Sequence, residues 1–272
     1  MKTLRALMIV TIGLAWPAAA RAQTGPPQET ERPQPVQELF FTETVYPQDK
    51  GEVQLTFGSM VDRSREDKAA LMPFSIEYGL TNRWQVEAQW AGYARFHQSP
   101  FDDLRSARLS FGTKYSFMNI AHSRLHAAVG LDVEFPDAGA FDEGEGESGT
   151  QFEPAVSMAI DVTHHFTLFG SAGLSLEAKE AGSLLEGDRP DDPGTISMGG
   201  LFAFRVATLA LEYTSRSDSL PWRIDGSPMI TPSVMIHPGH KWELGFGVPV
   251  GVREGSHTPG FAMNIIKEFG GN

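Results

Sequence analysis

From residue 51 onward, apolar and polar residues alternate at a period of two almost to the end of the chain. Val53, Leu55 and Phe57 alternate with Glu52, Gln54 and Thr56. Trp84, Val86, Ala88 and Trp90 alternate with Gln85, Glu87 and Gln89. Successive side chains of a strand point to opposite faces, so this pattern describes strands with one apolar and one polar face. The same reading predicts about twelve strands, near residues 53–57, 74–78, 84–90, 109–117, 125–135, 152–162, 166–176, 196–206, 209–213, 230–236, 242–252 and 261–269.

The connections alternate too. Short turns fall near residues 80–83, 118–123, 163–165, 206–207 and 237–240. Longer polar loops fall near 61–70, 94–103, 136–150, 178–194, 216–226 and 253–258. Short turns on one rim, long loops on the other and an even strand count describe an up-and-down barrel. A soluble sandwich shows the same period, but three features favour the membrane. Several strands reach the ten or so residues that cross a bilayer at a tilt. Aromatics gather at the strand ends, with Tyr78, Trp84, Tyr115, Phe117, Phe166, Trp242 and Phe269 at the short-turn rim and Tyr93, Phe135 and Phe152 at the other, as interfacial girdles require. The polar face is rich in small residues, among them Gly112, Ser116, Gly130, Ser157, Ser171 and Gly173. The expected fold is therefore all-β, a closed antiparallel up-and-down transmembrane β-barrel of about twelve strands. Five prolines strain it, because Pro cannot donate to a ladder. Pro73, Pro154 and Pro249 fall near the long-loop rim, whereas Pro228 and Pro232 leave the tenth strand the least secure.

Residues 1–22 read as an export signal, with Lys2 and Arg5, an apolar stretch over 7–16 and the small-x-small site Ala20-Arg21-Ala22. Residues 23–50, rich in Pro, Gln and Glu, read as a flexible periplasmic leader, and 51–272 as the barrel. Removing the signal's three bases from 22 leaves 19 against 34 acidic residues. A chain this acidic lacks the basic stripe that binding nucleic acid requires. With no Cys there is no disulfide, thiolate metal site or thiol nucleophile.

The polar face supplies the candidate lumen-lining residues: Glu77, Glu87, Arg108, Lys114, Arg124, His126, Asp132, Glu134, Arg205, Lys241 and Glu243. Acids outnumber bases there, which predicts a lumen that repels anions. These groups have a second reading, as polar networks that only rigidify the wall. Centring the hairpin on the 118–123 turn predicts Arg108 opposite Asp132 or Glu134, and Lys114 opposite His126. Phe40 and Phe41, an apolar knot in the leader, are candidates for a plug in the periplasmic mouth, with a simple tether as the alternative. Seven of the eight His fall in expected loops or turns, and none stands beside a Ser on the apolar face, so a hydrolytic pair is not expected. The adjacent His164 and His165, the pair His237 and His240, and the acidic loop with Asp142, Glu143, Glu145 and Glu147 lack the spacing of a metal site. No metal and no cofactor are expected.

Four segments carry a family resemblance: Glu38-Leu-Phe-Phe-Thr-Glu-Thr-Val-Tyr46, Lys50-Gly-Glu-Val-Gln-Leu55, Ile76-Glu-Tyr-Gly-Leu-Thr-Asn-Arg-Trp84 and Gly112-Thr-Lys-Tyr-Ser-Phe117. Together they resemble a family of bacterial outer-membrane barrels named for the meta-cleavage pathway of phenol degradation. They cover roughly the first third of the mature chain. The resemblance implies an outer-membrane transporter and carries no catalytic residues. The expectation is a monomeric channel of a Gram-negative outer membrane, surrounded by lipid and lipopolysaccharide, passing small solutes through a narrow, net-acidic lumen. Hydrophobic or aromatic solutes are among the candidates. The alternatives are a structural or adhesive barrel with a plugged lumen and, less favoured, a lipid-modifying enzyme.

Overall fold

The computed structural model describes residues 36–37, 39–63, 68–96, 103–136, 150–177, 194–217, 228–239, 241–252 and 258–271. The export signal, the leader before Val36 and the acidic loop around Glu143 lie outside them. The strands are β1 (Val53–Arg63), β2 (Lys68–Thr81), β3 (Trp84–Phe96), β4 (Asp103–Phe117), β5 (Leu125–Pro136), β6 (Gln151–Asp161), β7 (Phe166–Leu174), β8 (Leu176–Glu177), β9 (Gly194–Ala203), β10 (Ala207–Ser217), β11 (Met229–Gly239), β12 (Trp242–Gly247), β13 (Val250–Gly251) and β14 (Thr258–Phe269).

Neighbouring strands pair antiparallel, and β1 pairs with both β2 and β14, so the sheet closes on itself. Segments β7 and β8 both pair with β6 and form one stave. Likewise β12 and β13 both pair with β11. The result is a closed antiparallel barrel of twelve staves. In hydrocarbon each unpaired backbone amide costs several kcal/mol, and closure is how a sheet avoids that cost. A twelve-residue stave such as β14 is about 40 Å long, enough to cross a bilayer at a tilt.

The two broken staves show how the prolines are accommodated. The gap at Ser175 falls between the pairs Phe152–Leu176 and Ala155–Gly173, in the stretch facing Pro154. The gap at Val248 and Pro249 falls between the pairs Ser233–Gly247 and Ile230–Val250, facing Pro232. Neither Pro232 nor Pro249 has an N–H to give, so the ladder stops there. Two bonds survive beside the gap, from Val248 N–H to the Pro232 carbonyl at 3.1 Å and from Gly260 N–H to the Pro249 carbonyl at 3.0 Å. The tenth stave therefore forms with Pro232 inside it.

The β4–β5 register differs from the expected one. Arg108 pairs with Pro136 and Lys114 with Gly130, while Asp132 stands opposite Gly112 and Glu134 opposite Ser110. The turn is responsible. Asn119, Ala121 and His122 all take positive φ around a single 3-10 turn, Ile120–His122. The chain spends seven residues between Phe117 and Leu125 and so slides the partner strand.

Polarity is inverted relative to a soluble protein. Outward positions carry Phe57, Trp84, Trp90, Phe111, Val156, Met158, Leu211 and Phe261, each more than two-fifths exposed. Inward positions carry Gln54, Ser116, His126 and Glu212, each at 2% exposure or less. An exposed apolar patch of this extent with a polar interior is what a lipid-facing barrel presents. At the short-turn rim, Lys267 points outward with its Nζ 4.8 Å from the centre of the Trp242 ring and 5.6 Å from that of Phe269. A cation in such a girdle reaches the headgroups while its stem stays in the apolar layer.

Candidate functional site

The inward acids are not scattered. Following register partners around the wall, Glu268 pairs with Gln54, Gln54 with Glu77, Glu77 with Glu87, Glu87 with Gly112, Gly112 with Asp132, and Asp132 with Glu153. Because the staves tilt, this row climbs from the short-turn rim at Glu268 toward the long-loop end of β6 at Glu153. It carries five carboxylates over seven neighbouring positions. Gly112 leaves open the space that the Asp132 carboxylate fills, so a side chain there would make that carboxylate turn aside. Among the residues whose side chains are described, Lys114 is the single buried Lys or Arg.

The lumen is occupied by the chain's own leader. Val36, Leu39, Thr42, Thr44, Val45, Tyr46 and Gln48 are all buried, and their partners are inward-facing residues of the wall. At the short-turn end, Gln48 N–H donates to Gln85 Oε1 at 3.0 Å, and its side-chain amide donates to Gln54 Oε1 at 2.8 Å and Glu77 Oε2 at 3.3 Å. Gln54 and Gln85 each donate to the Glu77 carboxylate at 2.8 Å. Gly79 lets the leader leave along the wall: a Cβ there would meet the Asp49 and Gln48 carbonyl oxygens.

Further round the wall at the same end, the Tyr46 hydroxyl donates to Asp161 Oδ1 at 3.2 Å, and its ring lies 5.8 Å from that of His126. Asn119 N–H donates to His126 Nδ1 at 3.1 Å. That makes Nδ1 the acceptor and leaves the Nε2 hydrogen for Asp161 Oδ2, 3.2 Å away. Thr167 completes the cluster by donating to Asp161 Oδ1 at 2.8 Å. The Lys114 ammonium donates to the Thr44 carbonyl at 3.1 Å and lies 3.6 Å from Glu43 Oε1.

On the opposite side of the ring, consecutive backbone amides grip a buried carboxylate. Phe40 N–H donates to Glu212 Oε1 at 3.3 Å and Phe41 N–H to Oε2 at 2.9 Å. Ser197 Oγ donates to the Phe41 carbonyl at 3.3 Å. The Phe40 ring lies over Gly245 and Gly247 of β12, beside Met235 and Thr231 of β11. The leader therefore spans the lumen from the Lys114 wall to the Glu212 wall.

Of the candidate lumen residues, the structure points Glu77, Glu87, Lys114, His126, Asp132, Glu134 and Glu243 inward. Glu243 Oε2 lies 3.3 Å from His237 Nδ1. Arg124 and Arg205 sit exposed in short turns rather than on the wall, and Arg124 donates to the Val162 carbonyl at 3.2 Å. Lys241, also in a turn, lies 3.5 Å from Glu52 Oε1 and donates to the Gly270 carbonyl. For Arg108 only the backbone is described. Phe40 and Phe41 lie within the lumen, and so do Val36, Leu39 and the leader from Thr42 to Gln48. Sequence reading did not single out Glu212 or Asp161 as partners of the leader. Their signal, polar residues at inward positions, is shared by much of the wall.

No family model matches the chain, and no curated protein matches it. Among solved structures, the NanC porin is similar, with a TM-score of 0.56 and 12% identity over 78% of this chain and 98% of that one. The KdgM porin aligns with a TM-score of 0.52 and 8% identity over 80% of this chain and 99% of that one. At such identities the likeness is one of fold, that of a porin-like barrel.

Proposed function

We propose that the protein is a monomeric channel of the bacterial outer membrane for small, preferentially cationic solutes, and that its leader closes the lumen. We extend the proposal to membership of the meta-pathway family that the sequence resembles. The observation that carries the channel reading is the acidic row along the wall, against which the leader is held by polar bonds and by an apolar cluster of Val36, Leu39, Val45 and Tyr46 with small and apolar wall residues such as Ala128 and Ala159. Water can replace a hydrogen bond to Gln48 or Phe41 at little net cost, because such bonds contribute only about 1 kcal/mol each. The acidic row provides what a cation path needs, fixed negative charge at short intervals in a confined bore. The porin-like fold supports the reading without naming a solute.

Single-channel recording on the refolded chain in planar bilayers tests it. The full chain is expected to open rarely, and a chain lacking residues 36–46 to conduct steadily with cation preference in a salt gradient. Replacing Glu87 and Asp132 by Gln and Asn should weaken that preference. Equal conductance with and without the leader sinks the gating reading. Silence from both chains, each with a heat-modifiable barrel, supports a structural barrel instead.

A further inference from the structure

The patch of wall that holds Phe40 is built unlike the rest of the lumen. Gly245 and Gly247 are successive inward positions of one stave, and both lack a side chain. A Cβ on either would come within 3.2 Å and 2.9 Å of the Phe40 ring, respectively. Met235, fully buried, and the Thr231 methyl flank the same space. Glu212 stands next to Thr231 in register, also fully buried. Apolar floor and carboxylate are thus fixed side by side on three neighbouring staves. What they hold is a ring, two carbons and a nitrogen: the Phe40 side chain, its Cβ and Cα, and the amide bonded to Glu212.

We propose that this socket is a solute site for arylethylamines, in which an aromatic ring and a cationic nitrogen are separated by two carbons, and that the leader occupies it as an internal competitor. The inference rests on the gating reading above and deepens it by naming a solute class. The chemistry favours the amine over the leader. Glu212 is a buried carboxylate met by neutral amide donors, and charge-assisted hydrogen bonds are roughly twice as strong as neutral ones. An ammonium group supplies the compensating charge as well as the donor. The ring finds the same glycine floor that Phe40 uses. The acidic row concentrates cations on the way in, and an arylcarboxylate of the same size would meet Glu212 as a like charge.

The test uses the refolded full chain and three probes that share one ring: 2-phenylethylamine, 2-phenylethanol and phenylacetate. Isothermal calorimetry reads binding and planar-bilayer recording reads opening. In Phe40→Ala the ring no longer competes, and 2-phenylethylamine is expected to bind at least tenfold tighter than to the unaltered chain. It should bind at least tenfold tighter than 2-phenylethanol, with no binding of phenylacetate. Adding Glu212→Gln should abolish the amine preference, adding Gly247→Val should abolish binding by filling the floor, and adding Ser157→Ala, elsewhere on the inner wall, should leave both intact. Phe40→Leu, with a smaller volume change, serves if the alanine variant fails to fold. Amine binding that does not tighten in the Phe40 variants, or that survives Glu212→Gln, overturns the site. If Phe40→Ala raises conductance without binding amine, gating stands and the socket falls. If it binds amine while leader deletion leaves conductance unchanged, the socket stands and gating falls.

Discussion

Lys114 reaches the carbonyl oxygen of Thr44, seventy residues earlier in the chain, at 3.1 Å. It is the one buried Lys or Arg among the residues whose side chains are described, and it faces Glu43 of the leader as well as the Glu77 and Asp132 carboxylates of the wall. Lys114→Met removes a cation that several acids share. Breaking a buried pair by deleting one partner typically costs about 3 kcal/mol or more. The expected outcome is a lower unfolding midpoint in urea, higher open probability and stronger cation preference. A variant with unchanged midpoint and conductance would show that Lys114 does not hold the leader.

How much of this was legible beforehand differs by level. The twelve staves were legible because alternation needs only nearest neighbours in sequence. Even the doubtful strand around Pro232 formed, since its missing N–H falls where the partner stave is itself broken. The β4–β5 register was not legible, because it depends on the left-handed residues Asn119, Ala121 and His122. Single acids such as Glu77 and Asp132 could be placed on the polar face. Their union into one row could not, because it requires the register of six strand pairs at once. Plug and tether could not be told apart for the leader, because Pro, Gln and Thr suit a polar lumen as well as they suit water. Only Phe40 and Phe41 stood out from that background.

Gly79 and Gly173 make a controlled comparison. At Gly79 an added Cβ would overlap the Asp49 carbonyl, so the leader or the wall must shift. At Gly173 the nearest atom would be the Pro154 carbonyl oxygen at 3.6 Å, an ordinary contact. Gly79→Ala should therefore dislodge the leader where it leaves the barrel and expose it to protease. Gly173→Ala should leave its protection unchanged. Limited proteolysis of both variants, read by mass spectrometry for cuts within residues 36–50, checks this directly.

Hydroxyl and ring of Tyr46 make contacts that substitution can separate. Tyr46→Phe removes the hydroxyl from Asp161 but keeps the ring beside His126. Asp161 retains Thr167 and His126, so the loss should be about 1 kcal/mol, that of one hydrogen bond. Tyr46→Ala also removes a buried ring, and large-to-small changes of that kind cost about 3 kcal/mol or more. Urea unfolding of the two variants should therefore separate clearly. Equal losses would mean that the ring rests on nothing.

The outer face yields a prediction independent of the lumen. Val156, midway along β6, is 52% exposed and points outward between the two aromatic girdles. A charge there must enter the hydrocarbon, and Arg at the bilayer midplane of a barrel costs about 2–4 kcal/mol. Lys267 already points outward, yet it lies one turn of the pleat from Phe269 at the rim and over the Trp242 ring. There the stem can lie along the girdle while the ammonium meets the headgroups. Val156→Arg should thus destabilise the barrel in lipid by that amount, whereas Lys267→Arg should be near neutral. Reversible folding into vesicles, titrated with denaturant, measures both. If Val156→Arg were as well tolerated as Lys267→Arg, this face would not be the one that meets lipid.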